Sequence, residues 1–301
     1  MNIEFEKIEC NLCGSNKFKR VFNKPDTWLW GDKTEFNVVK CEKCGLGFLN
    51  PRPKISSMHY FYPSKFYTDY DESIYTKRFP SQSKFIPNLD NKNILDIGCA
   101  RGNFLDYLKN KYLNLNAYGV DPFSIGVKYN HIDFKNTFLE KANYESDFFD
   151  VIISWFVFEH LYDPSIYFQE VSRILKKQGK FIFSVPNFNS LWSRIGFWED
   201  VPRHLYFFNK KTLKLYAKKN GLKINKIYFD DNIFDGRGTE SFYFLLSRMF
   251  GVTWEKRKNK NLSRLQWKVS ALGRFLDKIF FKYHWEKKFG ISGTMIVEMT
   301  K

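Results

Sequence analysis

A chain of 301 residues, 44% of them hydrophobic, is long enough for one large domain with an appendage or for two domains, and it can bury a sizeable core. Its net charge of +16 favours anionic partners (nucleic acid, phosphorylated substrates or an anionic membrane surface) without choosing among them. Met1 to Lys7 carries acids and no apolar core, which argues against a signal peptide. No run is apolar for long enough to span a bilayer, so the expectation is a soluble, cytoplasmic protein. Five cysteines in that reducing compartment point to metal or thiol roles rather than disulfides.

Four of the cysteines come first, as two pairs: Cys10-x-x-Cys13-Gly14 and Cys41-x-x-Cys44-Gly45. Two intervening residues let both sulfurs of a pair reach one ion, and the glycine permits the tight turn. Four thiolates suit tetrahedral Zn2+ with no open position, so the predicted role is structural. An iron–sulfur cluster is the weaker alternative, because nothing nearby reads as a redox partner. Phe18 to Phe22 and Phe36 to Val39 read as short strands, which makes residues 1–53 a zinc ribbon ended by Pro51-Arg52-Pro53. Residues 54–82 are rich in aromatics: His59, Tyr60, Phe61, Tyr62, Phe66, Tyr67 and Tyr70. Two readings stay open there. The aromatics pack the linker on the larger domain, or the tyrosines line a substrate pocket.

Residues 83–301 read as alternating strands and helices, the pattern of a doubly wound, mostly parallel sheet with seven strands in an α/β fold. Asn93 to Phe104 opens it with an apolar strand, a turn through Gly98 and Gly102, and the first turn of a helix. Asp96 stands at the end of that strand. Asn116 to Asp121 is a second strand ending in an acid, a position where ribose hydroxyls are bound. Together these stretches resemble motifs I and II of the class I S-adenosylmethionine-dependent methyltransferases, with Ala100 standing where the first motif has its middle glycine. The resemblance implies S-adenosylmethionine as cofactor, held by Asp96, Gly98, Cys99, Ala100, Gly102, Asp121 and Pro122.

A helix is expected over Phe123 to Tyr129, a third strand within His131 to Leu139 and a fourth over Phe148 to Ser154, with Ser154 at the cofactor end. Trp155 to Pro164 resembles the segment in which these enzymes place Glu-His-Leu-x-Asp-Pro before a helix. It makes His160 a candidate catalytic residue, although in the family the phrase accompanies many substrates. Asp163 and Pro164 start a helix expected to run to about Lys177 and to stop at Gln178-Gly179. Lys180 to Asn187 is the fifth strand. The loop Trp198 to Phe208 contains His-Leu-Tyr-Phe-Phe, a phrase resembling members that act on sugars, lipids and small metabolites. His204, suited to removing a hydroxyl proton, is the first-ranked base, and Arg203 is suited to a phosphate. Lys223 to Phe229 and Ile291 to Met299 read as the sixth and seventh strands.

Between the last two strands lies an insertion at about 230–290, with Leu262, Leu265, Val269, Leu272, Leu276, Ile279 and Tyr283 at helical spacing. Arg264, Lys268, Arg274, Lys278 and Lys282 are interleaved. Such a helix packs on its own domain, forms a lid or dimer contact, or lies peripherally on an anionic membrane such as the inner face of the cell membrane. The expected activity is O-methylation of a small-molecule or glycan substrate, a sugar precursor that is nucleotide-linked or otherwise phosphorylated. The alternatives are a nucleic-acid (RNA) methyltransferase, which the charge and the ribbon would suit, and a lipid- or quinone-type small-molecule methyltransferase at a membrane surface. Nucleic acid is disfavoured as substrate, because Ser154-Trp155-Phe156-Val157 stands where amino-methylating nucleic-acid enzymes carry Asn/Asp-Pro-Pro-Tyr/Phe.

Overall fold

The computed structural model describes residues 3–25, 35–62, 75–124, 126, 128–194, 200–234, 240–252, 256 and 261–301. Phe66, Tyr67 and Tyr70 of the aromatic segment, and Trp198 and Glu199, lie outside the described residues. Two compact units are present: Met1–Pro186 with Asp200–Ile227 and Ile296–Lys301, and Asn187–Glu199 with Tyr228–Met295.

The first unit begins with β1 (Phe5–Glu6), β2 (Phe18–Pro25), β3 (Glu35–Cys41), β4 (Gly47–Leu49) and β5 (Arg52–Pro53). β1 pairs antiparallel with β5, and β2, β3 and β4 form an antiparallel meander. Each knuckle turns on a glycine in the left-handed region: Gly14 at φ 67° and Gly45 at φ 86°. Its N–H donates back to the carbonyl of Cys10 or Cys41.

Then come α1 (Phe79–Ser83), β6 (Asn93–Ile97), α2 (Asn103–Lys109), β7 (Asn116–Val120), β8 (Asp133–Lys135), β9 (Phe149–Trp155), α3 (Pro164–Ile174) and β10 (Leu175–Pro186). The chain continues through α4 (Leu191–Arg194), β11 (Tyr206–Phe207), α5 (Lys210–Lys219), β12 (Lys223–Phe229), α6 (Ser241–Met249), α7 (Arg264–Lys282), α8 (Trp285–Lys288) and β13 (Thr294–Thr300). The large sheet runs β12-β13-β10-β9-β6-β7-β8, with β10, β9, β6, β7 and β8 parallel in succession. The reversal of strand direction of travel across the sheet, outward from β6 in both directions, opens a crevice at the strands' carboxyl ends. Ile94, Leu95, Ile152, Ile153, Phe181 and Phe183 are all but inaccessible to solvent, as strands buried on both faces must be.

Two local expectations are corrected. The described residues of 121–131 form turns rather than a helix: Gly126 sits at φ 111°, outside helical geometry. The helix after Pro164 ends at Ile174 rather than Lys177. Leu175 leaves helical geometry at ψ 132° and pairs with Phe149 as a fully buried strand residue.

The ribbon is built into its unit. β11, which follows His204, adds as the fourth strand of the ribbon sheet, in the order β11-β4-β3-β2. Asn11, inside the first knuckle, donates to Asp163 Oδ1 at 2.7 Å and accepts from Ser165 N and the Tyr216 hydroxyl, tying the knuckle to the starts of α3 and the flank of α5. Arg52 is buried between Glu6, the Tyr162 carbonyl and the Tyr162 ring.

Candidate active site and metal centre

β6 delivers the glycine turn with three left-handed residues: Gly98 at φ 77°, Ala100 at φ 49° and Gly102 at φ 80°. Ala100 therefore occupies a conformation that costs an L-residue roughly 1–2 kcal/mol. Asp121, at the end of β7, holds the turn shut. Its Oδ2 accepts the Ala100 N–H at 3.0 Å and its Oδ1 the Phe123 N–H at 2.8 Å, while the Ser124 hydroxyl donates to the Ala100 carbonyl. Cys99 is buried beneath the turn against Gly119, where a Cβ would meet its Sγ at 2.6 Å. Burial first, then the charges of Asp96 and Asp121, push the Cys99 thiol up, away from its thiolate form.

Asp96 is 4% exposed. Burial first, and the nearby Asp121 second, push its carboxyl well above the usual range. Burial also raises Asp121, against the backbone hydrogen bonds it accepts. Two crowded, desolvated carboxylates favour a cationic ligand with hydroxyl donors. Beside them the Trp155 indole N–H and Asn103 Nδ2 are buried with no hydrogen-bond partner among the described residues. A carboxylate has about four lone-pair sites, and Asp121 spends part of this capacity on the backbone N–H groups of Ala100, Phe123 and Ser124. These observations fit S-adenosylmethionine, a sulfonium with a ribose diol. Trp155 and Asn103 escape the sequence reading, since an indole N–H or a carboxamide carries no signal until burial orphans it. Ser154 is different: its hydroxyl donates to the Ile97 carbonyl at 3.0 Å and ties β9 to β6. Pro122 lies in the turn that follows Asp121.

Gly98 is the tightest position. A Cβ there would meet Val157 Cγ2 at 2.3 Å, on top of the left-handed backbone. The Gly98→Ala variant is expected to lose about 2–5 kcal/mol of stability, the sum of left-handed strain and overpacking, by chemical denaturation. Gly45→Ala, with nothing nearer its Cβ than Lys40 Cε at 3.7 Å, is expected to lose only the strain.

A second cluster lies past β9. His160 and His204 rings meet edge-on with centroids 4.7 Å apart. Glu159, His160 and His204 bring ligand-type atoms within 4.8 Å of one another. His160 Nδ1 lies 3.0 Å from the Arg203 carbonyl and 3.2 Å from the Tyr62 hydroxyl. A carbonyl only accepts, so Nδ1 carries the proton and Nε2 is left with its lone pair. At His204 the pattern is opposite: Nδ1 accepts the Asp200 N–H, at 3.4 Å, which puts the proton on Nε2. Burial lowers the pKa of His160, and burial with the charge of His160 pulls His204 down to about 3, so both rings are neutral at neutral pH. Leu205 fixes the pair from the main chain, donating to the Glu159 carbonyl while its own carbonyl accepts from Leu49 of the ribbon.

Arg203 is 2% exposed. Its guanidinium pairs with Asp200 and donates to the Phe61 carbonyl. Its guanidinium is thus occupied by protein partners, where the sequence suggested one suited to a phosphate. Against burial, which raises it, this pairing holds Asp200 below the usual carboxylate range. The same buried guanidinium opposes a metal ion at the Glu159–His160–His204 cluster by charge.

The cysteine knuckles form the clearer candidate metal centre. Cys10 and Cys44 Sγ are 3.4 Å apart, Cys13 and Cys41 Sγ 3.6 Å, and all four lie within 4.8 Å of one another. Tetrahedral Zn–S bonds of about 2.3 Å require S···S separations of ~3.8 Å, so the four residues fit Zn2+.

A family model for a methyltransferase domain matches residues 73–227, more than half of the chain. The ubiquinone biosynthesis O-methyltransferase of Bartonella tribocorum is 28% identical over 196 residues, 58% of this chain and 77% of that protein. Its Bartonella quintana counterpart is 25% identical over 203 residues, 61% of this chain and 78% of that protein. A chain in the complex between the Haloferax volcanii Trm112 methyltransferase activator and a methyltransferase has the same fold. Its TM-score is 0.51 at 13% identity, covering 76% of this chain and 90% of that one.

Proposed function

The chain belongs to the class I S-adenosylmethionine-dependent methyltransferases, and from that premise we propose that it methylates a hydroxyl oxygen of a small molecule, a sugar or glycan precursor. The observation that carries the proposal is His160: its Nδ1 lies against the Arg203 carbonyl and the Tyr62 hydroxyl, which leaves the lone pair on Nε2, and burial lowers its pKa.

S-adenosylmethionine, when bound, supplies a methyl group on a positively charged sulfur for in-line displacement by the acceptor oxygen. Asp121 accepts hydroxyl hydrogen bonds and keeps the glycine turn closed through Ala100. Burial and Asp121 favour the protonated form of Asp96, and a cationic ligand beside it would draw it back toward the carboxylate. His160 Nε2 takes the hydroxyl proton as the oxygen attacks, and the Asp200 carboxylate favours the imidazolium so formed. His204, ranked first from sequence, is the edge-on partner that keeps His160 in place. Positioning supplies much of the rate, since holding the oxygen in line converts a bimolecular step into an intramolecular one. In the same reading the domains are 1–53, 54–82 and 83–301, and Cys10, Cys13, Cys41 and Cys44 hold a structural Zn2+.

A second acceptor, a phenolic hydroxyl of a quinone precursor, is favoured by the names of the Bartonella relatives. The test supplies methyl-labelled S-adenosylmethionine to the purified chain with a nucleotide-sugar pool, a catechol-type quinone precursor and RNA in separate reactions. Label in the sugar fraction supports the lead, label in the phenol selects the second acceptor, and label in RNA alone overturns both. On the working acceptor, His160→Ala is expected to lower kcat by about 10²–10⁴-fold with little change in KM for the cofactor. An unchanged kcat would remove His160 from its role.

Acid adds a check on the same histidines. Both have folded pKa values depressed below the ordinary 6.5. The unfolded chain therefore binds more protons, and the contribution is full above the unfolded pKa and lost as pH falls from there toward about 3. Wild-type stability is expected to drop over that window, and less so in the His204→Asn variant.

A further inference from the structure

α7 carries its apolar residues on the wrong side for a helix of a water-exposed domain. Its buried stripe is Val269, Ser270, Gly273 and Asp277, and it packs on α6 through small and polar groups. A Cβ on Gly273 would meet Tyr243 Cα at 2.6 Å, so the helix backbones are nearly touching there. Asp277 accepts the Phe242 and Tyr243 N–H groups at 2.8 Å each, capping the start of α6. Close helix approach through small residues leaves the large ones outside. Leu265, Leu272, Leu276, Ile279 and Tyr283 follow one another along one exposed stripe, 36–59% accessible. Of the nineteen exposed large apolar side chains among the described residues, eleven lie between Met249 and Phe289. That concentration is far beyond the scatter expected of an ordinary surface.

The charge beside the stripe says what covers it. Arg264, Lys268, Lys278 and Lys282 run along its flank and are exposed, and Arg274 completes five cations in the helix. The one acid of α7 is Asp277, which is buried and occupied with α6. A second copy of this chain, docking face to face about a twofold axis, would bring the same cations against each other. An anionic surface neutralises them, and long basic side chains let their heads reach it while the apolar stripe sinks past the headgroups.

We propose that α7 is an interfacial helix by which this protein docks on an anionic lipid bilayer, lying in the membrane plane with Leu265, Leu272, Leu276 and Ile279 inserted. No helix among the described residues is long and apolar enough to cross a membrane, so the attachment is peripheral. The inference uses only α6, α7 and their surface, and stands apart from the choice of acceptor and base.

The experiment is co-sedimentation of the full chain with vesicles of phosphatidylcholine alone and of phosphatidylcholine mixed with phosphatidylglycerol, at low and high salt. Binding is expected to the anionic vesicles and to weaken with salt. Replacing Leu272→Gln together with Ile279→Gln is expected to reduce partitioning by about tenfold or more, as is Lys268→Glu with Lys282→Glu. All four side chains are exposed, so the thermal midpoint should stay within a degree or two of wild type, which separates lost docking from lost folding. Equal binding to both vesicle types, or variants that bind as wild type does, would overturn the proposal. So would a stable dimer in sedimentation velocity that the Leu272→Gln, Ile279→Gln variant dissociates, since the stripe would then belong to a second copy.

Discussion

Stripping the metal from the four cysteines, by chelation or by Cys41→Ser, is expected to collapse the ribbon and to abolish turnover. Structural zinc in small cysteine sites contributes on the order of 10 kcal/mol or more of folding free energy, because the unfolded segment has no preformed site. Here the loss would not stay local. The sheet that the knuckles close includes β11, the strand immediately after His204. Leu49 of the ribbon donates to Leu205, and Leu205 donates to the Glu159 carbonyl beside His160. Asn11 in the first knuckle holds the start of α3 through Asp163 and Ser165. The purified chain should therefore carry one zinc by elemental analysis. Its removal should lower the thermal midpoint by ten degrees or more, at least about 3–5 kcal/mol for a domain this size. Hydrogen exchange should rise at Leu205–Phe208 as well as at the knuckles. A zinc-free chain with unchanged exchange at Leu205–Phe208 would mean that the ribbon is an appendage.

The Asp121→Ala variant is expected to bind S-adenosylmethionine about 100-fold more weakly in a calorimetric titration, on the order of 2–3 kcal/mol. Two losses combine. The carboxylate that would accept ribose hydroxyls disappears, and the Ala100 N–H loses the acceptor that keeps the turn in its left-handed conformation. Asp121→Asn should fall between the two, since the amide keeps one acceptor oxygen and turns a donor toward the other partner. Retained affinity in Asp121→Ala would move the ribose contact elsewhere. The metal experiment and this one fail separately, because the first reads the ribbon and the second the turn.

The glycine turn and the knuckles were legible because their chemistry is local. Gly98 and Gly102 answer a backbone demand set by neighbours one or two residues away, and Cys-x-x-Cys-Gly fixes two sulfurs on one turn. The alternation of apolar runs and helix starts likewise gave the order of strands, since a buried parallel strand has to be apolar on both faces. The errors were local too. The segment after Asp121 has apolar spacing fit for a helix, but Gly126 within it takes φ 111°, a backbone conformation that no helix contains.

What the sequence by itself determined about this protein is therefore its family and fold, and the spacing that gathers its four N-terminal cysteines into one cluster. Tertiary structure alone decided how these are used. It put the knuckles' sheet under the loop of His204, assigned the proton of His160 to Nδ1 through a carbonyl 43 residues away, and spent Arg203 on Asp200 rather than on a ligand. It also turned the apolar stripe of α7 outward, by giving the contact with α6 to Gly273 and Asp277. The physical reason is common to all four. Periodicity says which residues share a face, but only the packing partner decides which face is buried, and hydrogen-bond partners distant in sequence decide what each polar group has left to offer.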